Sequence, residues 1–282
     1  MAVAGLRRRQ VSSIALDHVG VVTDDLHVLA EQNEQLGFTL TLLARQEDGR
    51  IGNRCAMLRR SYIELLAVVD PTARSATLDR FLERYAGIHI MAFSIDDPQS
   101  ALTRLRGAGI DVAGISQLSR VIDDTHPAAG RARFALIQTP EQPEGRINLV
   151  HHLTPELLWQ ERFLMHANGA EALDEVVIVV AEPAETAARF SRLVGCAVVP
   201  DPDGGFALDL MHGRVRLRAV DGDASVVPCI VGLSVRTSDG NAAIKRLLGE
   251  RGIAHRLLNG GVLIDPAHAG GVALRFVTGA AT

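Results

Sequence analysis

The sequence predicts an α+β fold in which one unit occurs four times, and three observations lead to this prediction. The 282 residues fit roughly two domains of ordinary size. Residues 15–26 (ALDHVGVVTDDL) and residues 172–183 (ALDEVVIVVAEP) share one frame. Each of these valine-rich runs precedes apolar residues at helical spacing. A chain that repeats a strand and a helix is expected to form an internally repeated mixed sheet.

Each copy begins with a strand and continues into a helix that ends near a glycine. The predicted strands are residues 16–23, 88–95, 176–180 and 231–235. Asp25 and Asp97 are placed to cap the first two helices, and Pro98 takes the first helical position, which proline favours. The helical stripes end at Gly37, Gly109, Gly195 and Gly252.

Shorter apolar runs follow every helix and predict further strands. These runs are residues 54–58 and 62–69, 134–138 and 147–152, 206–211 and 215–220, and 261–264 and 272–277. The unit therefore consists of a strand, a helix and two or three strands, a βαβββ pattern.

The segment between the second and third copies predicts a domain boundary. It contains Pro155, the only tryptophan, Trp159, and a polar stretch at residues 167–169. We therefore expect a first domain at residues 1–155, a linker at 156–170 and a second domain at 171–282.

Composition excludes several classes of function. The net charge is −4, and no basic block is longer than the arginines at 7–9. The sequence therefore shows no basic patch of the kind that binds nucleic acid. No apolar run approaches the roughly 20 residues of a membrane span, and the start lacks the order of a signal peptide, so we expect a soluble, cytoplasmic protein. Cys55, Cys196 and Cys229 lie far apart, which indicates buried free thiols. The glycine motifs of phosphate loops, hydrolase elbows and dinucleotide sites are absent.

Three short motifs resemble those of glyoxalase-like proteins. They are Leu-Asp-His-Val-Gly-Val near the start, Tyr-Ile-Glu-Leu-Leu-Ala-Val-Val-Asp-Pro at residues 62–71, and His-Leu-Thr-Pro-Glu-Leu-Leu-Trp at residues 152–159. Together with the paired βαβββ units, they make nearly the whole chain similar to the vicinal oxygen chelate superfamily, which includes glyoxalase I, extradiol dioxygenases and bleomycin-resistance proteins. The resemblance implies two glyoxalase/extradiol-dioxygenase-like domains with curled sheets around a cleft.

The resemblance places two metal ligands, His18 and Glu64, in the first unit. An imidazole nitrogen and a carboxylate oxygen suit a divalent iron, zinc, manganese or nickel ion that keeps open positions for a substrate. The alternative without a metal is that His18 is only a hydrogen-bonded residue of its strand and that Glu64 faces the solvent. Glu64 interrupts an apolar strand, however, and burying a charge without a partner is unfavourable by several kcal/mol.

The second unit offers less clear ligands. Seven residues before the capping aspartate stand His18 in the first unit and Ile90 in the second. Because strand side chains alternate between faces, His89 is expected to point away from the cleft, with its polar tip on the outer face. His151 and His152 are adjacent, so only one of them faces inward, and either one completes a set of two histidines and one carboxylate. Asn148 is a third candidate if Pro71 is aligned with Pro155.

The second half has lost the metal ligands. Glu175 and Gly232 stand at the position of His18, while Arg216 and either Ala273 or Arg275 stand at that of Glu64. Arginine, glycine and alanine donate no side-chain ligand to a first-row metal, so this half is expected to be a structural or substrate-covering copy. The remaining histidines are expected at surface or structural positions: His27, His126, His166, His212, His255 and His268.

Two functions are therefore expected from the sequence. The first is a metal-dependent glyoxalase-like lyase or isomerase that acts on a small oxygen-chelating substrate, with an extradiol-type dioxygenase as a sharper variant. The second is a metal-free protein that binds a small molecule in the same cleft; Ile90 and the altered second half favour it. No nucleic acid or membrane partner is expected, and a homodimer is one expected assembly.

Overall fold

The computed structural model describes residues 14–46, 49–123, 130–220 and 228–279. The first unit consists of β1 (Ala15–Val22), α1 (Leu26–Gln35), β2 (Ala44–Arg45), β3 (Ile51–Met57) and β4 (Tyr62–Val68). A helix that the sequence did not predict, α2 (Ala76–Leu82), leads to the second unit. That unit consists of β5 (Gly87–Ser94), α3 (Pro98–Gly107), β6 (Ser116–Val121), β7 (Arg131–Gln138) and β8 (Arg146–His152).

The second half repeats this order after α4 (Pro155–Leu158) and a short 3-10 helix (Glu161–Phe163). The third unit consists of β9 (Ala170–Val180), α5 (Pro183–Val194), β10 (Val198–Pro200), β11 (Phe206–Asp209) and β12 (Arg214–Ala219). The fourth consists of β13 (Cys229–Thr237), α6 (Ala242–Arg251), β14 (His255–Leu258), β15 (Gly261–Ile264), a 3-10 helix (Pro266–His268) and β16 (Ala273–Thr278).

Strand pairing follows the unit boundaries. The first strand of each unit pairs in parallel with its last strand, as in β1 with β4 and β9 with β12. The first strands of successive units pair antiparallel, β1 with β5 and β9 with β13. The predicted α+β class with mixed sheets is confirmed, and three strands follow the first helix of every unit.

Alternation along the strands divides the first-half sheet into two faces. One face packs on the helices and contributes to the main hydrophobic core: Val19, Val21, Ile63, Leu65, Met91, Phe93, Ile147 and Leu149. Their neighbours in sequence point to the opposite face, because successive strand side chains alternate. That opposite, concave face carries the cleft described below.

Helix starts agree with the predicted caps. The Asp25 carboxylate accepts hydrogen bonds from the backbone N–H groups of His27 and Val28. Asp97 accepts from Gln99 N–H, and Pro98 is the first residue of α3. These contacts satisfy backbone donors that have no partner within the helix. The caps fix where β1 and β5 end, and hence where the cleft-lining residues stand.

The two halves share one core. The main hydrophobic cluster contains residues from all four units, and β5 contacts β13 through the pair Ile88 and Ile230. The predicted linker, residues 156–170, folds back onto the first half, where Trp159 Nε1 donates to Leu58 O at 2.8 Å. Arg251 Nη1 also donates to the carbonyl oxygens of Glu34 and Gln35 at the end of α1.

The fold also bears on the predictions for the cysteines and for membrane spans. Cys55 and Cys196 are buried free thiols as predicted, whereas Cys229 is only half-buried because it begins β13. None of the helices in the described ranges is long and apolar enough to span a bilayer. The arginine run at residues 7–9 and His126 lie outside the described residues.

Candidate ligand-binding cleft

The concave face of the first half encloses a cleft of about 800 Å³. Its floor is formed by the four central strands in the order β4, β1, β5 and β8, and β3, β6 and β7 form its walls. Polar and apolar side chains share the lining. A cleft of this size is sufficient for a small organic molecule.

Strand register aligns the floor residues in two rows. Glu64, Gly20, Ile90 and Arg146 form one row across β4, β1, β5 and β8. The second row contains Tyr62, His18, Ala92 and Asn148. The first two units are related by a pseudo-twofold axis between β1 and β5. The axis exchanges the pair of His18 with Ala92 for the pair of Ile90 with Gly20, so Ile90 is equivalent to His18. Asn148 is then equivalent to Glu64, the alignment given by Pro71 and Pro155.

Ile90 covers the floor where a second-unit ligand would stand. A Cβ atom on Gly20 would lie 2.9 Å from the Cβ of Ile90, so glycine is required for these two strands to pair here. Ile90 itself is buried and lines the cleft. The prediction that an apolar residue occupies this position agrees with the observed register.

Glu64 is buried at the cleft floor and is already paired. Its Oε1 atom accepts a hydrogen bond from Asn53 Nδ2 on β3 and another from Arg120 Nη1 on β6, at 2.9 Å. The side chains of Glu64 and Arg120 are 12% and 13% exposed, so the pair is largely withdrawn from water. Ion pairs of this kind gain from hydrogen bonds that satisfy both groups. Burial raises the pKa of the neighbouring Cys55 thiol to about 12.

Asp17 binds two histidines of the site at once. The register between β1 and β5 shifts between Leu16 and His18, which places Asp17 in a β-bulge. Its carboxylate accepts from His18 Nδ1 at 2.6 Å and from His152 Nε2 at 3.1 Å. Burial alone would raise the pKa of Asp17, but the hydrogen bonds from His152 and His18 outweigh it and lower that pKa.

These contacts fix the tautomers of both rings. A carboxylate only accepts, so His18 carries its proton on Nδ1 and keeps Nε2 as an acceptor when it is neutral. His18 lines the cleft and stacks on Tyr62, with ring centroids 4.4 Å apart. His152 packs edge-on against Trp159, with a centroid distance of 4.9 Å, and also against the edges of Tyr62 and Phe134, but it is not among the residues that line the cleft.

The structure thus brings together two of the four predicted metal ligands. His18 and Glu64 line the same cleft, whereas His152 contacts Asp17 and is not among the residues that line the cleft. His151 faces the other way along β8, where its Nδ1 lies 3.0 Å from Ile95 O. Metal binding by His18, Glu64, His151 and His152 stays a prediction.

His89 lies away from the cleft, as its register predicts. It is fully buried rather than a polar tip on the outer face, because α2 and the following turn cover it. Its ring stacks between Phe81 and Tyr85, at 4.7 and 4.0 Å, and Nε2 donates to Tyr85 O at 2.7 Å. Burial lowers the pKa of His89 to about 4.

As arranged, the cleft residues do not fit a metal ion. One oxygen of Glu64 already accepts two hydrogen bonds, one of them from a permanent cation, Arg120. The second-unit equivalent of His18 is Ile90, which has no donor atom. Among the described residues, no group of three or more His, Cys, Asp or Glu side chains has a metal-binding arrangement.

The second half fills the equivalent position with an ion-pair network. Arg216, the register equivalent of Glu64, contacts Glu175 at 3.0 Å, Asp201 at 2.7 Å and Asp203 at 3.1 Å. In the fourth unit, Ser234 is the equivalent of Gly20 and pairs with Arg275. Arg275 rather than Ala273 is therefore the equivalent of Glu64. The guanidinium groups at these positions cannot donate to a metal ion. The other described histidines also lie outside the cleft lining.

Sequence reasoning missed three residues that shape the cleft: Asp17, Arg120 and Arg146. Arg120 lies on β6, a mostly polar strand without the apolar run that predicted the other strands. The signal that could have found it is the repeat itself, since three strands are expected after each helix. Arg146 could have been found by the same register that selects Asn148.

Comparisons with known proteins were consistent with this fold. A structure of a hypothetical protein from Staphylococcus aureus has a TM-score of 0.68 and 12% identity, covering 94% of this chain and 99% of that one. A substituted 4-hydroxymandelate synthase from Streptomyces coelicolor gives 0.64 and 15%, covering 96% and 94%. A fusion of a xylose isomerase-like TIM barrel with 4-hydroxyphenylpyruvate dioxygenase gives 0.56 and 12%, covering 98% and 51%.

Sequence comparison assigns the family. No curated protein matches the chain significantly. The family model of the glyoxalase-like domain matches residues 16–194, which include the whole cleft and more than half of the chain. The chain therefore belongs to the glyoxalase-like domain family of the vicinal oxygen chelate superfamily.

Proposed function

We propose that the cleft of the first half binds a small organic molecule without a metal ion. The observation that carries this proposal is the buried ion pair between Glu64 and Arg120 at 2.9 Å. In the resemblance that the sequence suggested, this glutamate would hold a divalent cation. Here a guanidinium group supplies the positive charge, and Asn53 occupies the same carboxylate oxygen.

The rest of the cleft supports binding of an organic ligand. Apolar side chains on the floor and walls offer contact area, among them Ile51, Leu66, Ile90, Leu118 and Phe134. Polar groups between them can fix a ligand's orientation, the combination typical of small-molecule sites. Burial raises the pKa of Tyr62 well above 10, so its hydroxyl stays protonated.

A metal-dependent lyase, isomerase or dioxygenase is the second candidate, and one observation favours it. Asp17 holds His18 Nδ1 at 2.6 Å and leaves Nε2 as the acceptor nitrogen of a cleft-lining ring. Metal-binding histidines are commonly oriented by a carboxylate in this way. An ion held by His18 and Glu64 would polarise a substrate oxygen or activate a water molecule.

Elemental analysis and thermal melting separate the two candidates. The wild-type chain and the variants Glu64→Gln and His18→Ala are purified without chelator, and their metal content is measured. We expect background metal in all three, and no rise in melting temperature when manganese, iron, zinc or nickel is added. Stoichiometric metal in the wild type that is lost in both variants would overturn the proposal and support the metal-dependent enzyme.

A further inference from the structure

Arg146 places a second guanidinium group in the cleft, at the opposite end of the floor row from Glu64. It begins β8 next to Ile90, is half-buried and lines the cleft. Its guanidinium carbon lies 6.0 Å from the centroid of the Phe81 ring, and Nη2 lies 3.4 Å from Thr77 Oγ1. These contacts hold the side chain without neutralising its charge.

No carboxylate compensates Arg146 within the described part of the chain. Among the described residues that line the cleft, Glu64 is the only acidic one, and it is paired with Arg120. Glu141, whose charge acts on Arg146, pairs instead with Arg80 at 3.6 Å. Burial lowers the pKa of Arg146, which reflects the unfavourable desolvation of its charge. A half-buried, unpaired cation in a cleft is stabilised by an anionic ligand.

Asn148 gives a second, independent indication of a ligand. It stands two residues after Arg146, so both side chains lie on the cleft face of β8. Asn148 is 8% exposed, and its Oδ1 atom has no hydrogen-bond partner among the described residues. Buried amide oxygens almost always accept a hydrogen bond, so a donor on the ligand is expected here.

We infer that the cleft binds a small organic acid that also carries a hydroxyl or amino group. The carboxylate pairs with Arg146, the hydroxyl or amino group donates to Asn148 Oδ1, and the apolar body lies against Ile90 and Leu66. This inference rests on the proposed metal-free cleft and names its ligand class. The cleft's charge agrees with it, because Arg133 adds a further guanidinium group that has no ion-pair partner among the described residues.

Calorimetric titration with simple acids and amides tests this inference. The probes are benzoate, the three hydroxybenzoates and the matching benzamides, titrated into the full-length chain at low ionic strength. We expect the acids to bind more tightly than their amides by about tenfold or more, since a hydrogen-bonded charge contributes that much. At least one hydroxybenzoate should bind more tightly than benzoate.

Variants assign each preference to its residue. Arg146→Gln should remove the preference for acids over amides, and Arg146→Lys should restore part of it. Asn148→Leu should remove only the preference for hydroxybenzoate over benzoate. Arg246→Gln is the matched control, because Arg246 is an exposed arginine on α6 that does not line the cleft. Melting curves by circular dichroism confirm that each variant is folded.

The outcomes separate this inference from the proposed function. Acids that bind no better than their amides, or an unchanged acid preference in Arg146→Gln, would overturn the inference and leave the metal-free cleft standing. Binding that requires an added divalent metal and disappears with chelator would overturn both. Acid binding that persists in chelator and depends on Arg146 supports both.

Discussion

His152 Nε2 lies 3.1 Å from the Asp17 carboxylate, although the two residues are 135 positions apart in sequence. Asp17 is almost fully buried, and its other buried hydrogen bond comes from His18 on the cleft floor. His152 therefore stabilises the bulge at Asp17, and through it the position of His18 on the cleft floor. His152 itself is not among the residues that line the cleft. The neighbouring His151 makes no contact with Asp17 and instead bonds to Ile95 O.

His152→Ala should destabilise the protein far more than His151→Ala. The first change removes one hydrogen bond to a buried carboxylate and the contact with Trp159, so we expect a loss of about 2–4 kcal/mol in unfolding free energy. The second removes one hydrogen bond from a half-exposed ring and should remove less than about 1 kcal/mol. Urea denaturation measures both values, and equal losses would contradict the stabilising role of His152.

The Glu64–Arg120 pair should show strong energetic coupling. Arg120→Gln leaves a largely buried carboxylate without its cation and should lower the unfolding free energy by about 3–5 kcal/mol. In the double variant Glu64→Gln with Arg120→Gln, neither charge remains unpaired, so the combined loss should be smaller than the sum by about 1–3 kcal/mol. Chemical denaturation of the two single variants and the double variant measures this coupling. Additive losses would indicate that each residue acts separately.

The strand and helix pattern was predictable because it depends on local rules. Apolar runs, apolar residues at helical spacing and the aspartate caps predicted the starts of β1, β5, α1 and α3 to within one residue. The polar strand β6 contains no such apolar run, so the sequence did not predict it. Helix α2 was also missed, since it lies between two units and outside the repeat.

The cleft was only partly predictable, for a physical reason. Counting from the caps located His18 and Ile90, because register within paired strands is fixed by the pleat. The ion pair of Arg120 with Glu64 joins β6 of one unit to β4 of the other, and no spacing rule within a unit reaches across that distance. The bulge at Asp17 was hidden as well, because a bulge breaks the alternation used for counting.

Glu175→Gln should leave the first-half cleft unchanged. Glu175 belongs to the ion-pair network around Arg216, in which Asp201 and Asp203 remain as partners after the substitution. We expect no change in metal content or in binding of organic acids. The loss of unfolding free energy should be smaller than for Arg120→Gln, because Asp201 and Asp203 still compensate the charge of Arg216. Calorimetric titration and melting curves test this. Loss of ligand binding would show that the second half takes part in the site.

The two halves are expected to depend on each other for folding. Fragments 1–155 and 170–282 divide a hydrophobic cluster that contains residues of both halves, so each fragment would expose part of it. We expect the separated fragments to be poorly soluble, or to form a stable complex when they are expressed together. Size-exclusion chromatography of each fragment and of the pair measures this. Two soluble monomers with cooperative melting would instead establish two independent domains.

Acidification should destabilise the protein through His89. The pKa of His89 is about 4 in the folded state, below its usual 6.5, because burial disfavours the charged ring. The neutral ring therefore stabilises the fold fully above about pH 6.5, and this contribution is lost as the pH falls toward 4. One unit of pKa shift corresponds to about 1.4 kcal/mol, so the loss is at most about 3 kcal/mol.

The control for this prediction is His89→Phe, which keeps the stacking between Phe81 and Tyr85 and cannot be protonated. It gives up the hydrogen bond to Tyr85 O, so it should be less stable than the wild type at pH 7, by about 1 kcal/mol. Between pH 6.5 and 4 its unfolding free energy should fall less steeply than that of the wild type. Parallel pH profiles in urea denaturation would show that His89 does not control the acid sensitivity.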